Sequence, residues 1–479
     1  MALPATYDTA VAAERSLMVD ALQPIATTAK SPDAVNAVPG APLVGGRINN
    51  PGPKRQPGQR TLAVFDKKAN MTFAGSTNTT NAAADTSDVA NSDSPYGTTT
   101  LRLAPRNGAD TKLAPSVALT TPVNVSGGGY IRLFFKPIAN LNVPGGNLSR
   151  FSMELHSAGT PASPTANYHK THEGGGDLLA LTTSQSGVGR WQSVGRAIGE
   201  MTAVGTGADL SAISFARLWV SSSTSPVATL EVSHIEYVPN PLPKAACIIS
   251  FDDAFLVEYP RTLMAKYGFP GVVFPSPVAH LNGVGGSGKL SVDQLIMLQD
   301  VHGWQVASQG YIDEDLTRHL ALGDDGVTAE FAKLRNYQNA LGLSGGGHGS
   351  YYSGVSADVI ALFPALRRHY RSIRRFDSPL GGGMPLDVTE MYPWRDPYNI
   401  RCCNAAGFSN NTTTDWTNRF KLLFDAAIAV KGVVYLAAHN DFASASNART
   451  NFETALAYLD ANRATIEVVT EEYLHRTYG

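Results

Sequence analysis

The sequence predicts a multi-domain chain, an N-terminal all-β sandwich of jelly-roll type followed by a C-terminal α/β domain built as a (β/α) barrel of eight repeats or fewer. Three observations predict it. Between residues 61 and 241, short alternating apolar runs are separated at regular intervals by Gly, Asn, Ser and Thr. From residue 245 onward, strand-like and helix-like patterns alternate, which implies parallel strands joined by helical crossovers. Between the two regimes lies PNPLPK at 239–244, a proline-rich boundary. At 479 residues the chain can hold two or three domains, each with its own core.

Residues 1–60 open with a helical stretch from Tyr7 to Leu22, with apolar positions at Val11, Ala12, Leu17 and Val19. The segment SPDAVNAVPGAPLVGGRINNPGPKRQPGQR then reads as an extended arm or linker. In the sandwich region, 61–241, YIRLFFKPI, SRFSMELHS, GDLLALTTS, GRWQSVGRAI, FARLWVSSS and ATLEVSHIEYV each fit a strand. Sheet faces of this kind can stack sugars on exposed aromatics, and Trp191, Trp219 and Tyr130 are the candidates; filling the core is their alternative role.

In the third segment, 245–479, CIISF, PGVVFP, WQVAS, YRSIRRF, GVVYLAA and IEVVT read as strands, with a further strand at Arg401-Cys402-Cys403. VEYPRTLMAKYGF, SVDQLIMLQDVHG, VTAEFAKLRNYQNALG and SADVIALFPALRRHY read as helices, and HGSYYSG as a glycine-rich loop. In such an architecture functional groups belong on the loops after the C-terminal ends of the strands.

Charged residues make up 16% of the chain and the formal net charge is -2, so no electrostatic field gathers nucleic acid or an anionic membrane. Three cysteines, with no CxxC pair, are too few for a disulfide framework or a structural zinc site. No run of about 18 apolar residues offers a membrane span. The start, MALPATYDTAVAAERSLMVDAL, lacks a basic region followed by an apolar core, so a Sec signal peptide is not expected.

The strand CIISF ends in two adjacent carboxylates, Asp252-Asp253. Adjacent carboxylates at the tip of an apolar strand are costly unless a metal or a base role uses them. One carboxylate of such a pair can hold a cation while the other takes a proton from water. A cap on the following helix is the plainer alternative.

The context sharpens this. ISFDDAFLVEYPRTLMAKYGFPGVVFP followed by LSVDQLIMLQDVHGWQVASQGYIDEDL resembles, in order and spacing, the NodB-homology polysaccharide deacetylases, carbohydrate esterase family 4. That family has a TFDDG-like strand end, a "kyGfpaTfF" strand and an "ls..ql..l...GhEigsH" unit running into an H(S/T)xxHxxL loop. The resemblance covers 245–479 and implies a distorted barrel of NodB type and metal-assisted removal of acetyl groups from a glycan. It assigns Asp252 as general base and Asp253 as the metal-ligand aspartate. Gln309 and Asp313 stand where the family has its two histidine ligands. The resemblance thus implies a divalent cation, zinc in the family. The all-oxygen set Asp253, Asp313 and Gln309 suits a harder cation or a weak site instead, and equally a site that has lost its metal. His439, at the end of GVVYLAA, matches the family's catalytic-acid histidine. His348 and Tyr351 fall in the place of the RxPxG segment, whose Arg and Pro are missing; with Tyr311, Trp394 and Arg395 they are the candidate substrate contacts.

The resulting expectation is a hydrolase acting on an extracellular polysaccharide. Two alternatives remain: a barrel that only holds a glycan, or one that cuts glycosidic bonds with Asp252, Asp313 and Glu314. The layout of arm, sandwich and sugar-active domain resembles a bacteriophage tail spike or fibre. That analogy implies a virion or extracellular setting and a homo-oligomer, a trimer in that setting; a bacterial protein exported by a non-Sec route is the alternative.

Overall fold

The structure, a computed structural model, describes residues 57–74, 85–105, 112–139, 148–171, 189, 191–222, 228–253, 257–276, 288–309, 321–343, 345, 347–351, 366–374, 389–404, 420–438 and 446–479. The Tyr7–Leu22 stretch, GDLLALTTS and most of SADVIALFPALRRHY lie outside them.

The first domain contains strands β1 (Arg60–Val64), β2 (Thr86–Ala90), β3 (Thr99–Leu103), β4 (Lys112–Leu113), β5 (Ser116–Val123), β6 (Tyr130–Ala139) and β7 (Leu148–His156). After these come β8 (Gly159–Thr160), β9 (Ser163–Pro164), β10 (Tyr168–Lys170), β11 (Gln192–Ala197), β12 (Thr202–Val204), β13 (Ile213–Ser222) and β14 (Thr229–Val238). Twelve of them form two six-stranded antiparallel sheets, β11-β6-β14-β3-β2 with β1 on β14, and β12-β10-β7-β13-β4 with β5 on β13, while β8 and β9 pair separately. Alternation dictates the faces: Ile131, Leu133 and Phe135 of β6 point into the core, and Arg132, Phe134 and Lys136 point away. Facing them across the sandwich are Phe151, Met153 and Leu155 of β7 and Leu218 and Val220 of β13. Each of these side chains contributes about 1.5–3 kcal/mol by leaving water. The expected sandwich is present.

The second domain runs β15 (Ala245–Asp252), α1 (Glu258–Ala265), β16 (Val272–Phe274), α2 (Val292–Asp300), β17 (Gln305–Val306), α3 (Gly323–Ala340), β18 (His348–Ser350) and β19 (Ser372–Arg374). It continues with β20 (Cys403–Asn404), α4 (Lys421–Val430), β21 (Val433–Ala438), α5 (Ser446–Ala461), β22 (Ile466–Val468) and α6 (Glu471–Tyr478). Helix starts follow local chemistry. Ser291 and Gln294 make a reciprocal capping box at α2, and Thr470 accepts the Tyr473 N–H at α6.

Five strands form a parallel sheet in the order β17-β16-β15-β21-β20, with β22 on the free half of the β15 edge. β18 and β19 pair separately, also in parallel. Among the described residues no continuous ladder closes the sheet into the expected barrel. Single parallel bridges, Ser308 with Gly349 and Arg374 with Ile400, link the two sheets instead.

HGSYYSG also departs from expectation. Its first half is strand β18, completely buried, because pairing on both sides overrides the poor strand propensity of His, Gly and Ser. β15 is buried on both faces, as parallel strands are. Cys247, Ile249 and Phe251 pack under the helices, while Ala246 and Ile248 face inward with Phe274, Tyr435 and Cys402. Gly271 lets the Trp304 ring approach beneath β16; a Cβ there would lie 2.7 Å from the indole. No described helix is long and apolar enough to cross a membrane.

Candidate active site

Period-two alternation puts Asp252 on the same inward face as Ile248, at the C-terminal end of β15. The side chain is 1% exposed. It meets Arg374, the last residue of β19, in an ion pair through the guanidinium Nη2. Arg374 is fully buried, its Cζ 4.5 Å from the centre of the Phe274 ring and 5.7 Å from that of Tyr435, with Nη1 3.9 Å from Cys402 Sγ. Burial opposes the guanidinium charge, but the Asp252 carboxylate outweighs it and raises the Arg374 pKa above its ordinary value. Nothing in the local sequence announced Arg374. Its one signal is a cation in the strand YRSIRRF, two residues on from Ser372 and so on the same inward face.

Asp253, the next residue, has left the strand and adopts φ 58°. Its backbone N–H donates to Gln309 Oε1 at 2.9 Å, and Gln309 Nε2 donates to its Oδ1 at 2.9 Å. Gln309 directly follows Ser308, whose backbone is held on both sides by His348 and Ser350 of β18. The sequence therefore brings Asp253 and Gln309 together as expected.

These described donors do not fit a divalent cation. A metal requires lone pairs, and the Gln309 carboxamide turns an N–H toward the carboxylate and uses its oxygen on a backbone N–H. Among the described residues no group of three His, Cys, Asp or Glu is placed to hold a metal. Asp313, His439, Tyr311 and Glu314 lie outside the described residues.

The remaining expected substrate contacts are corrected. His348 is 1% exposed, with Nδ1 2.8 Å from Ser372 Oγ and Nε2 2.8 Å from Glu472. Its ring also lies near Glu471 of α6, whose other carboxylate oxygen accepts from Tyr435 at 2.9 Å. Burial works against the imidazolium, yet Glu471 and Glu472 together raise the His348 pKa. Glu472 falls to about 2: burial opposes that shift, but His348 and Arg476 outweigh it. Ser372 also hydrogen-bonds Glu471, so this cluster is a structural clasp rather than a nucleophile and base. Tyr351 is buried among Val327, Phe331, Tyr370 and Tyr398 and donates to the Tyr398 carbonyl at 3.1 Å.

Trp394 and Arg395 sit between the two domains. Arg395 donates to the Gly195 carbonyl of β11 at 3.0 Å and to Glu390 at 3.1 Å, and its own carbonyl accepts from Ser193 at 2.6 Å. Arg132 of β6 donates to the Trp394 and Arg395 carbonyls. Tyr130 is wholly buried against the same segment, which rules it out as a sugar platform. Trp191 is 9% exposed and its Nε1 donates to Asp93 at 3.2 Å, while Trp219 stays half-buried over Arg217.

No family model and no curated protein matches the sequence. Solved structures similar to this chain include carbohydrate esterases and a carbohydrate-binding module. A family 4 carbohydrate esterase from Streptomyces lividans, in complex with acetate, covers 49% of this chain and 96% of its own, at 12% identity and a TM-score of 0.31. Another family 4 carbohydrate esterase, from Bacillus anthracis, covers 50% of this chain and 85% of its own, at 14% identity and a TM-score of 0.30. A family 11 carbohydrate-binding module from Clostridium thermocellum, in complex with a β-1,3-1,4-mixed-linked tetrasaccharide, covers 38% of this chain and 96% of its own, at 10% identity and a TM-score of 0.25.

Proposed function

We propose that the chain is a carbohydrate-active hydrolase that removes acetyl groups from an extracellular polysaccharide at the C-terminal end of β15. The observation that carries this reading is the buried Asp252–Arg374 pair. The buried guanidinium of Arg374 orients the carboxylate where a TFDDG-like strand end places a base. In the proposed reaction Asp252 accepts a proton from water as the water oxygen attacks the acetyl carbonyl carbon. His439, directly after β21 in the chain, returns a proton to the departing sugar oxygen or nitrogen, and acetate leaves.

A second reading is favoured by one observation, the Asp253–Gln309 ring, which engages the neighbouring carboxylate. In that reading the domain holds a glycan without turning it over.

Acetate release from acetylated glycans decides between them. The native chain is expected to release acetate, and Asp252→Asn to lose at least a hundredfold in rate, the lower end of a general base's contribution. Equal release by a folded Asp252→Asn protein overturns the assignment of the base. No release by the native chain selects the binding reading.

A further inference from the structure

We infer that Gln309 does the work of a metal ion at this strand end, locking Asp253 through a two-point hydrogen-bonded ring and leaving the site free of a cation. This goes beyond the acetyl-removal reading and holds under either alternative given above.

The backbone of Asp253 supplies the first part of the argument. With φ 58° it lies in the left-handed region, which an L-residue occupies only when its surroundings compel it. Asp tolerates that region better than most residues, because its short carboxylate can bond locally. Here the bonding comes from 56 residues away, with both the backbone N–H and the carboxylate oxygen of Asp253 engaged by one side chain.

The chemistry of the amide supplies the second. One end of Asp253 is a donor and the other an acceptor, so a single carboxamide orientation serves both. Turning Gln309 over would set its NH2 against the Asp253 N–H and its oxygen against the carboxylate, two repulsive contacts in place of two bonds. The amide thus presents hydrogen to the carboxylate where a metal ligand must present a lone pair. A donor bonded to a carboxylate also makes a charge-assisted bond, so the partner is strong as well as oriented.

Rigidity supplies the third. Gln309 is 4% exposed. The preceding residue is pinned by Ser308 N–H to the His348 carbonyl at 3.0 Å, Ser350 N–H to the Ser308 carbonyl at 2.8 Å, and Ser308 Oγ to Gln338 at 2.9 Å. Gln338 in turn donates to the Ala307 carbonyl at 2.6 Å. The lock is built on a frame that does not need a cation to set it.

Two measurements on the full chain test this without using activity. After equilibration with excess zinc or manganese and dialysis, elemental analysis is expected to find either metal well below one equivalent per chain. A stoichiometric metal that disappears in Asp253→Ala overturns the inference. In thermal melting, Gln309→Ala is expected to lower the midpoint by about 2–4 °C or more, the shift that loss of a modest buried interaction gives a domain of this size. Adding Asp253→Gly to Gln309→Ala is expected to restore part of that loss, since glycine accepts positive φ without a lock. A double variant no more stable than Gln309→Ala overturns it. Because neither measurement reads acetate, failure here and failure of the acetyl-removal reading are separable.

Discussion

At the scale of single residues, the candidate site is a buried charge pair whose halves were unequally legible. Two carboxylates at the end of an apolar run are anomalous in a linear sequence, because burying them uncompensated is expensive. Arg374, 122 residues further on, is an ordinary cation until the fold turns it inward against Asp252. Removing one partner strands the other in a low-dielectric interior. Arg374→Met is therefore expected to destabilise the domain by about 3–5 kcal/mol, measured by urea denaturation. Combining it with Asp252→Asn should cost less than the two single changes added together. Strict additivity would mean that the pair is not coupled.

At the scale of elements, α6 is not among the helices the sequence pattern predicts, yet it docks against the first residues of β17 and β18. Its first-turn acids, Glu471 and Glu472, reach His348 on β18, and Glu472 N–H donates to Gln305 of β17 at 2.9 Å. The other titratable or charged groups facing this clasp include Arg371 and Arg476 beside Glu472, Arg335, Tyr392, Tyr435 on β21, and His475, which burial, Arg371 and His348 push down to about 4. A raised His348 pKa stabilises the fold below its ordinary value near 6.5, and that stability is lost as pH rises through the raised value. The lowered Glu472 pKa acts at the other end, stabilising above the ordinary carboxylate range and failing as pH falls toward about 2. The lowered His475 pKa removes stability as pH falls from about 6.5 toward about 4, so docking of α6 should be strongest near pH 6.5. Amide hydrogen exchange of residues 471–478 across pH reads this directly. His348→Gln should flatten the alkaline side, and an unchanged alkaline profile in that variant would remove His348 from the account.

At the scale of the whole molecule, the two domains share a polar seam. Arg132, Ser193 and Gly195 of the sandwich bond the 394–395 backbone and the Arg395 guanidinium, while Tyr130, Ala197, Val238, Met391 and Val430 form a small apolar cluster beside them. Arg395 is 5% exposed and also bonds Glu390. Arg395→Ala would leave Glu390 and the carbonyls of Gly195 and Thr389 short of a donor, at about 1–3 kcal/mol for each buried group left unsatisfied. The expected outcome in calorimetry is that one shared unfolding transition separates into two. A variant that still melts in a single transition at the native midpoint would show that the seam does not couple the domains.

The sequence by itself determined the sandwich and α/β patterns and the strand β15 with its terminal carboxylates, while the nearness of Asp253 to Gln309 was implied by the family resemblance. Those features rest on local periodicity, turn chemistry and motif spacing, which a linear pattern carries. Only the tertiary structure decided the partner of Asp252, the burial of His348, Tyr351, Trp394 and Arg395, and the linkage of the two parallel sheets by single bridges. Each of those depends on contacts between segments far apart in the chain. Aromatic, His and Arg side chains serve equally well at a sugar face, in a core or along a domain seam, and neighbours supplied by folding determine which.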